Sequence, residues 1–100
     1  MKNYKHIIYF ALSKKINLND QMNKILKKVV ETFNGYSLIK MKGGYLDKET
    51  NKMIEETSYK LEILQDTKTK DIKYLCKYIK DIAKQKEVYF TTQKIKLNKI

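Results

Sequence analysis

The sequence predicts an α+β domain of the ferredoxin-like split βαβ type (βαββαβ), a four-stranded antiparallel sheet with two helices on one face. Three observations predict this class. The run at residues 6–13 is the most continuously apolar in the chain, which is typical of a central strand. Two amphipathic helical patterns follow it, and a long alternating hairpin separates them. One hundred residues, 1–100, are the size of a single domain.

In the first strand, successive side chains point to opposite faces of the sheet. We expect the bulkier set to face the helices, namely Ile8, Phe10 and Leu12. The remaining set then lies on the face without helices, namely Ile7, Tyr9 and Ala11.

The first helix is predicted at residues 20–33, because apolar side chains recur at helical spacing. They are Met22, Ile25, Leu26, Val29, Val30 and Phe33. Asn19 is the expected N-cap, and Asp20 places negative charge in the first turn. Asn34-Gly35 supplies the left-handed stop.

The hairpin is predicted from strands at 36–46 and 53–65, joined by the polar loop 47–52. Gly43 and Gly44 lack side chains, which indicates a bulge or a close approach by another backbone or a ligand. In the returning strand one side carries Thr57, Tyr59, Leu61 and Ile63, and the other carries Ser58, Lys60 and Glu62.

The second helix is expected to be capped by Thr67 or Thr69 and to end near residue 85. Its apolar stripe is Ile72, Leu75, Cys76, Ile79, Ile82 and Ala83, beside a lysine stripe of Lys73, Lys77, Lys80 and Lys84. A last strand is predicted at 87–95. Right-handed crossovers then place the first and third strands in the middle of the sheet.

The charge is +11, and all 22 basic residues are lysine. Lysine lacks the planar fork that grips a phosphate or guanine with two bonds, so diffuse attraction to anions is expected rather than reading of a DNA groove. The lysine stripe is either a solvated helix face or a surface for a polyanion. Residues 36–66 carry five lysines against six acids and are electrostatically distinct.

The cysteine count and the absence of several motifs limit the cellular compartment and the chemistry that we expect. One cysteine allows no internal disulfide, and no segment resembles a signal peptide or spans a membrane, so we expect a cytoplasmic protein with no membrane partner. Cys76 is interpreted as a buried inert thiol and His6 as a strand-end residue rather than a metal ligand. With no phosphate loop or nucleophile motif, we expect no enzyme and no cofactor.

Four short segments, at 9–13, 31–37, 43–45 and 55–60, come in a familiar order and spacing. They resemble a bacterial and phage family of unknown function with motifs FGLS, F-P-D-G, G-x-G-x-W and E-x-S-K. Tyr45 stands where that family has Trp, and its Pro after Phe33 is missing. The resemblance implies a small ferredoxin-like domain and brings no activity with it.

Two surfaces are candidate sites. The open sheet face, with Ile7, Tyr9, Ala11, Lys60 and Tyr89, is either the interface of a homo-oligomer, such as a dimer, or a ligand surface. The hairpin segment with Lys40, Lys42, Gly43, Gly44 and Tyr45 is the predicted site for a small anionic ligand. There the glycines allow close approach, Tyr45 can stack and the lysines meet phosphate.

The sequence therefore predicts a non-enzymatic binding protein that captures a small anionic, nucleotide-like ligand. A phage sponge that sequesters a host immune signalling nucleotide has this size and charge. One alternative is a single-stranded nucleic-acid-binding protein that uses the lysines and tyrosines. Against it, the third strand lacks the basic and aromatic signature of an RNA-recognition motif. The other alternative is a protein-interaction or inhibitor subunit that docks through its open sheet face.

Overall fold

A computed structural model describes residues 3–66 and 70–100 of the chain. The elements in chain order are β1 (Tyr4–Phe10), α1 (Leu18–Phe33), β2 (Ser37–Asp47), β3 (Lys52–Gln65), α2 (Lys70–Ile82) and β4 (Tyr89–Lys94). All strand pairs are antiparallel, and they form one sheet in the order β2-β3-β1-β4. The predicted ferredoxin-like α+β class, the element order and the central positions of the first and third strands are confirmed.

The core lies between the helices and one face of the sheet. Ile8, Phe10 and Leu12 are buried there as expected, and Leu61 and Ile63 of β3 join them. Both helices supply the other side, with Ile25, Val29 and Phe33 from α1 and Ile72, Leu75, Cys76, Ile79 and Ala83 from the second helical segment. This single layer of helices leaves the opposite sheet face uncovered.

The buried face of α1 contains fewer residues than the predicted apolar stripe. Its buried line is Gln21, Ile25, Val29 and Phe33, each four residues apart. Val30 was expected in this stripe but is 46% exposed, because it is rotated about 100° from Val29 around the helix axis. The buried position that precedes Ile25 by one turn is the polar Gln21.

The ends of α1 are set by two asparagines. Asn17, not Asn19, is the N-cap, because its Oδ1 accepts the N–H of Asp20 at 3.0 Å. Asn34 adopts the left-handed conformation, with φ of 73°, and its N–H donates to the carbonyl of Val30. Gly35 does not take positive φ, so Asn34 alone provides the predicted stop. The predicted caps of α2, Thr67 and Thr69, lie outside the described residues.

The hairpin of β2 and β3 extends well beyond the rest of the sheet. Pairing of β1 with β3 stops at Phe10↔Tyr59, whereas β2 and β3 stay paired as far as Asp47↔Lys52. Residues 41–58 therefore project as a two-stranded ribbon, called the arm below, from a molecule 50 Å long and 25 Å wide. The remainder of the sheet is called the body.

The register of the arm is unbroken at its glycines. Gly43 pairs with Glu56 and Gly44 with Glu55, so the predicted bulge is absent. The alternative of a close backbone approach is found at Gly44, where an added Cβ would lie 3.2 Å from the carbonyl oxygen of Ile54. Gly43 has open space around the same position.

Candidate functional site

A groove runs along the root of the arm on the helix side of the sheet. The strand period places Lys40 and Lys42 of β2 on this side, opposite Tyr59 and Thr57 of β3. The cavity measures about 450 Å³ and is lined by Lys14, Lys40, Met41, Lys42, Glu55, Glu56 and Thr57. A smaller cavity of about 160 Å³ adjoins it and is lined by Leu12, Lys14, Leu18, Lys40, Thr57 and Tyr59. Because Lys14, Lys40 and Thr57 line both, the two cavities form one groove.

The loop between β1 and α1 brings Lys14 to this groove. Gln21 is buried beneath the loop, with 1% of its surface exposed. Its side-chain carbonyl accepts the N–H of Ser13 at 2.8 Å, and its amide donates to the carbonyls of Ser13 at 2.8 Å and Ile16 at 3.0 Å. These bonds fix the backbone on either side of Lys14, so the loop is anchored without a strand partner.

The groove combines both signs of charge with an apolar end. Lys42 Nζ lies 3.2 Å from Glu55 Oε2, but the two side chains are 75% and 66% exposed. Such a pair contributes about 1 kcal/mol or less to stability, so both groups remain available to a ligand. At the apolar end the ring of Tyr59 is stacked on Phe10, with centroids 5.6 Å apart, which holds the tyrosine in place.

The predicted ligand site is divided by the sheet. Lys40, Lys42 and Gly44 lie on the groove side, whereas Gly43 and Tyr45 lie on the opposite side. Tyr45 is 52% exposed and pairs with Ile54, so its ring faces away from the two lysines. Of the residues that line the groove, sequence reasoning predicted only Lys40 and Lys42, and it missed Lys14, Glu55 and Thr57 among others. Glu55 and Thr57 could have been predicted, because every second residue of a strand lies on the same face and both share the face of Tyr59.

The predicted open-face residues do come together. Ile39, Lys60, Tyr9 and Tyr89 form one row across all four strands. The Tyr89 hydroxyl donates to the Glu87 carboxylate, and this hydrogen bond raises the pKa of Tyr89. Ile7 lies in the next row and, like Tyr9 and Ala11, is half-buried.

His6 is a structural residue in the described part of the chain, and its assignment as a strand-end residue is wrong. It is fully buried on the helix side of β1. Nδ1 lies 2.9 Å from Thr92 Oγ1 of β4, and Nε2 lies 2.9 Å from Gln65 Oε1 of β3. The imidazole thus connects three strands, and both ring nitrogens are satisfied.

The remaining candidates for chemistry are the Cys76 thiol and the side chains that bind metal ions. Burial raises the pKa of the Cys76 thiol to about 12, so the thiolate is scarce near neutral pH. Within residues 3–66 and 70–100, no three His, Cys, Asp or Glu side chains are grouped so as to hold a metal ion. In the same ranges no helix has the length and apolar character needed to cross a bilayer.

The outer helix surface carries lysines beside aromatic rings. Lys28 Nζ lies 5.8 Å from the ring centroid of Tyr74 and 5.3 Å from that of Tyr78. Of the predicted lysine stripe, Lys73, Lys77 and Lys80 are exposed on α2, whereas Lys84 lies in a turn after the helix has ended at Ile82. The distances fit cation–π contacts within the protein, so Lys28 is already occupied by the two rings.

No protein-family model matches the chain, and no curated protein matches it in sequence. Solved structures do match. A phage SAM lyase in complex with S-methyl-5′-thioadenosine is 15% identical over 93% of this chain and 81% of its own, with a TM-score of 0.68. A phage SAM lyase in its apo state is 16% identical over 93% of this chain and 81% of its own, with a TM-score of 0.69.

Two further solved structures are similar. B. subtilis GlnK in complex with ATP is 12% identical over 95% of this chain and 84% of its own, with a TM-score of 0.60. A duf3240 family protein from Shewanella baltica is 16% identical over 100% and 98%, with a TM-score of 0.54. At these identities the likeness establishes the shared fold, and the motif-based resemblance to a family of unknown function stays a prediction.

The expectation that the protein is not an enzyme is wrong on this comparison. The similar structures include a lyase whose fold matches 93% of this chain. That expectation was based on the absence of phosphate-loop and nucleophile motifs. Binding and orienting a reactive substrate can lower a barrier by several kcal/mol with no such motif, so the absence carries little weight.

Proposed function

We propose that the groove at the root of the arm binds a small adenosine-containing ligand that carries both charges, with S-adenosylmethionine as the first candidate. The observation that carries the proposal is the mixed charge on the groove side of the sheet: three lysines and the carboxylate of Glu55 beside an apolar end. A purely anionic ligand leaves the glutamate without a partner, whereas a zwitterion can use both signs. The adenosine class is supported by the fold shared with the lyase complex and with GlnK bound to ATP.

Each part of such a ligand has a matching part of the groove. The ammonium groups of Lys14 and Lys40 attract its carboxylate without demanding a fixed geometry. Glu55 attracts its sulfonium and ammonium groups. Leu18, which is 50% exposed, and the edge of Tyr59 offer apolar contact to the adenine ring.

Cleavage of the bound sulfonium is the second function in this proposal, and the observation that favours it is the likeness to the lyase. The substrate's own carboxylate can attack its γ-carbon, so that a C–O bond closes a five-membered lactone as the C–S bond breaks. The sulfur keeps the electron pair and leaves as a neutral thioether, so the leaving group requires no proton. The protein then has to position the substrate and stabilise its changing charge. The groove residues named above supply fixed charges of both signs for this purpose.

The test is calorimetric titration of the protein with S-adenosylmethionine, S-methyl-5′-thioadenosine and ATP, with chromatographic detection of S-methyl-5′-thioadenosine formed from S-adenosylmethionine. A ligand at a hundredfold excess over its Kd should stabilise the fold by about 2.7 kcal/mol, so a thermal shift provides a second readout. We expect binding of S-adenosylmethionine and release of the thioadenosine. Flat titrations with all three compounds would refute the proposal.

Three variants locate the site. Lys40→Met should weaken binding of S-adenosylmethionine and ATP, because each has an anionic group. Glu55→Gln should weaken S-adenosylmethionine but not ATP, which has no cationic group to lose. Lys48→Met is the matched control, because Lys48 is an exposed lysine in the turn of the arm and does not line the groove. Equal effects of Lys40→Met and Lys48→Met would place the ligand elsewhere.

A further inference from the structure

The sheet face turned away from the helices, called the open face below, continues without a break from the body onto the arm. Large apolar side chains are exposed along it: Ile39 at 45%, Tyr45 at 52% and Tyr89 at 63%. Half-buried apolar residues lie between them, namely Ile7, Tyr9, Met41 and Ile54. We propose that this face docks on a second copy of the chain, with the arm of one copy lying across the body of the other.

Among residues 3–66 and 70–100, no third strand pairs with the arm. Beyond the Phe10↔Tyr59 pair it consists of two strands only, and its side chains are mostly exposed. Two-stranded ribbons are marginally stable in water unless a further strand or layer packs against them. Tyr45 and Ile54 pair across the arm on the open face. Their side chains form an apolar patch against which a covering layer can pack.

The charges on the open face select a copy of the same protein rather than a polyanion. The strand register places six charged residues there, Lys5, Lys52, Lys60, Asp47, Glu56 and Glu62, and the hydrogen bond from Tyr89 holds the Glu87 carboxylate at the same face. These three lysines and four acids sum to −1, on a chain whose net charge is +11. Two strongly basic copies can therefore approach through this face without mutual repulsion, whereas an anion gains nothing from it.

The charges also bear on the orientation. On the arm, Asp47 and Glu56 outweigh Lys52, which gives −1. On the body, Lys5 and Lys60 are matched by Glu62 and Glu87, which gives 0. Arm over arm therefore brings like charges together, whereas arm over body does not. Repulsion avoided in this way selects one arrangement of an interface.

The size of the face fits a stable contact. With strands about 4.8 Å apart and residues about 3.4 Å apart along each strand, the open face covers roughly 700 Å² in projection. Standard interfaces bury about 800 Å² on each partner. The same arm-over-body contact can be reciprocal in a two-fold dimer or can repeat around a ring, and the measured mass distinguishes these arrangements. The inference does not depend on the proposed ligand.

The first experiment measures the mass of the protein by light scattering during gel filtration, over a range of concentrations. Tyr89→Ser removes an open-face anchor, and Tyr74→Ser is its matched control, because Tyr74 is also 63% exposed but lies on α2. We expect an oligomer for the unaltered chain and for Tyr74→Ser, and a Kd raised at least about tenfold for Tyr89→Ser. A monomeric unaltered chain, or equal effects of the two changes, would overturn the proposal.

The second experiment changes the charges of the body and the arm in turn. Lys60→Glu makes the body −2, so that it repels the arm at −1. Adding Glu56→Lys makes the arm +1, so that the double variant presents opposite signs at the contact. We expect Lys60→Glu alone to dissociate and the double variant to associate again, with circular dichroism confirming that both are folded. A double variant that stays monomeric would refute the arm-over-body orientation.

Discussion

Gln21 and Ser13 are joined by two hydrogen bonds that reproduce the pairing of neighbouring strands. The N–H of Ser13 donates to Gln21 Oε1 and its carbonyl accepts from Gln21 Nε2, both at 2.8 Å. A side chain on α1 thus satisfies backbone groups that β1 would otherwise leave open where the sheet ends. The same residue positions the loop that carries Lys14 into the groove.

Gln21→Ala should be strongly destabilising for a single polar change. It removes the bonds to Ser13 and Ile16 and leaves their backbone groups without partners, at an expected cost of about 2–4 kcal/mol. Denaturant unfolding followed by circular dichroism measures the loss. Asn23→Ala, at an exposed position of the same helix, is the control and should change stability by less than about 0.5 kcal/mol.

Thr92→Val tests the buried imidazole. The change keeps the shape of the side chain but leaves His6 Nδ1 without its partner, so we expect a loss of about 1–3 kcal/mol in urea unfolding. Thr92→Ser keeps the hydroxyl and should retain most of that stability. If the two variants unfold at the same urea concentration, the hydrogen bond is not the source of the effect.

Cys76 should make stability depend on pH in the alkaline range. Its pKa is raised from 9.0 to about 12 in the folded protein, so the unfolded chain loses this proton first as pH rises. The contribution is complete below about pH 9 and declines towards pH 12, by about 1.4 kcal/mol per pH unit. The measurement is the difference in unfolding free energy between the unaltered chain and Cys76→Ala at pH 8, 9 and 10. A difference that stays constant across these pH values would contradict the prediction.

Gly43→Ala and Gly44→Ala should differ although the residues are adjacent. Neither glycine has positive φ, so alanine is compatible with both backbones and should stabilise by about 0.4–1 kcal/mol where it fits. Gly43 offers that space, whereas at Gly44 the new Cβ meets the Ile54 oxygen at 3.2 Å. Thermal unfolding should therefore rank Gly43→Ala above Gly44→Ala, and the reverse order would show that the arm relaxes freely at Gly44.

The fold could be predicted because hydrophobic periodicity reports directly on burial. The apolar run at 6–13 identified a central strand, and the spacing from Ile25 to Phe33 identified a helix face. Asn17 was missed as the cap because Asn19 has the same chemistry, and only the backbone conformation decides between them. His6 was misplaced because its partners, Gln65 and Thr92, are distant in sequence.

The groove was harder to predict, because it depends on register rather than on composition. The five candidates between positions 40 and 45 included residues of both sheet faces, because alternate residues of a strand point to opposite sides and so separate Lys42 from Gly43 and Tyr45. Lys14 reaches the groove through a loop that a buried glutamine holds, and no local pattern reports that contact. The length of the arm is also invisible in the sequence, since it is defined by where β1 stops pairing.

The neighbour of β1 on one side is β4, with Tyr4 opposite Lys94. During translation, β1 leaves the ribosome before β4 and keeps an open edge until the helices and the hairpin between them have followed. An apolar edge exposed for that time invites pairing with other nascent chains. Lys5, the second residue of β1, and Lys14, four residues past its end, are placed to repel such encounters until β4 arrives.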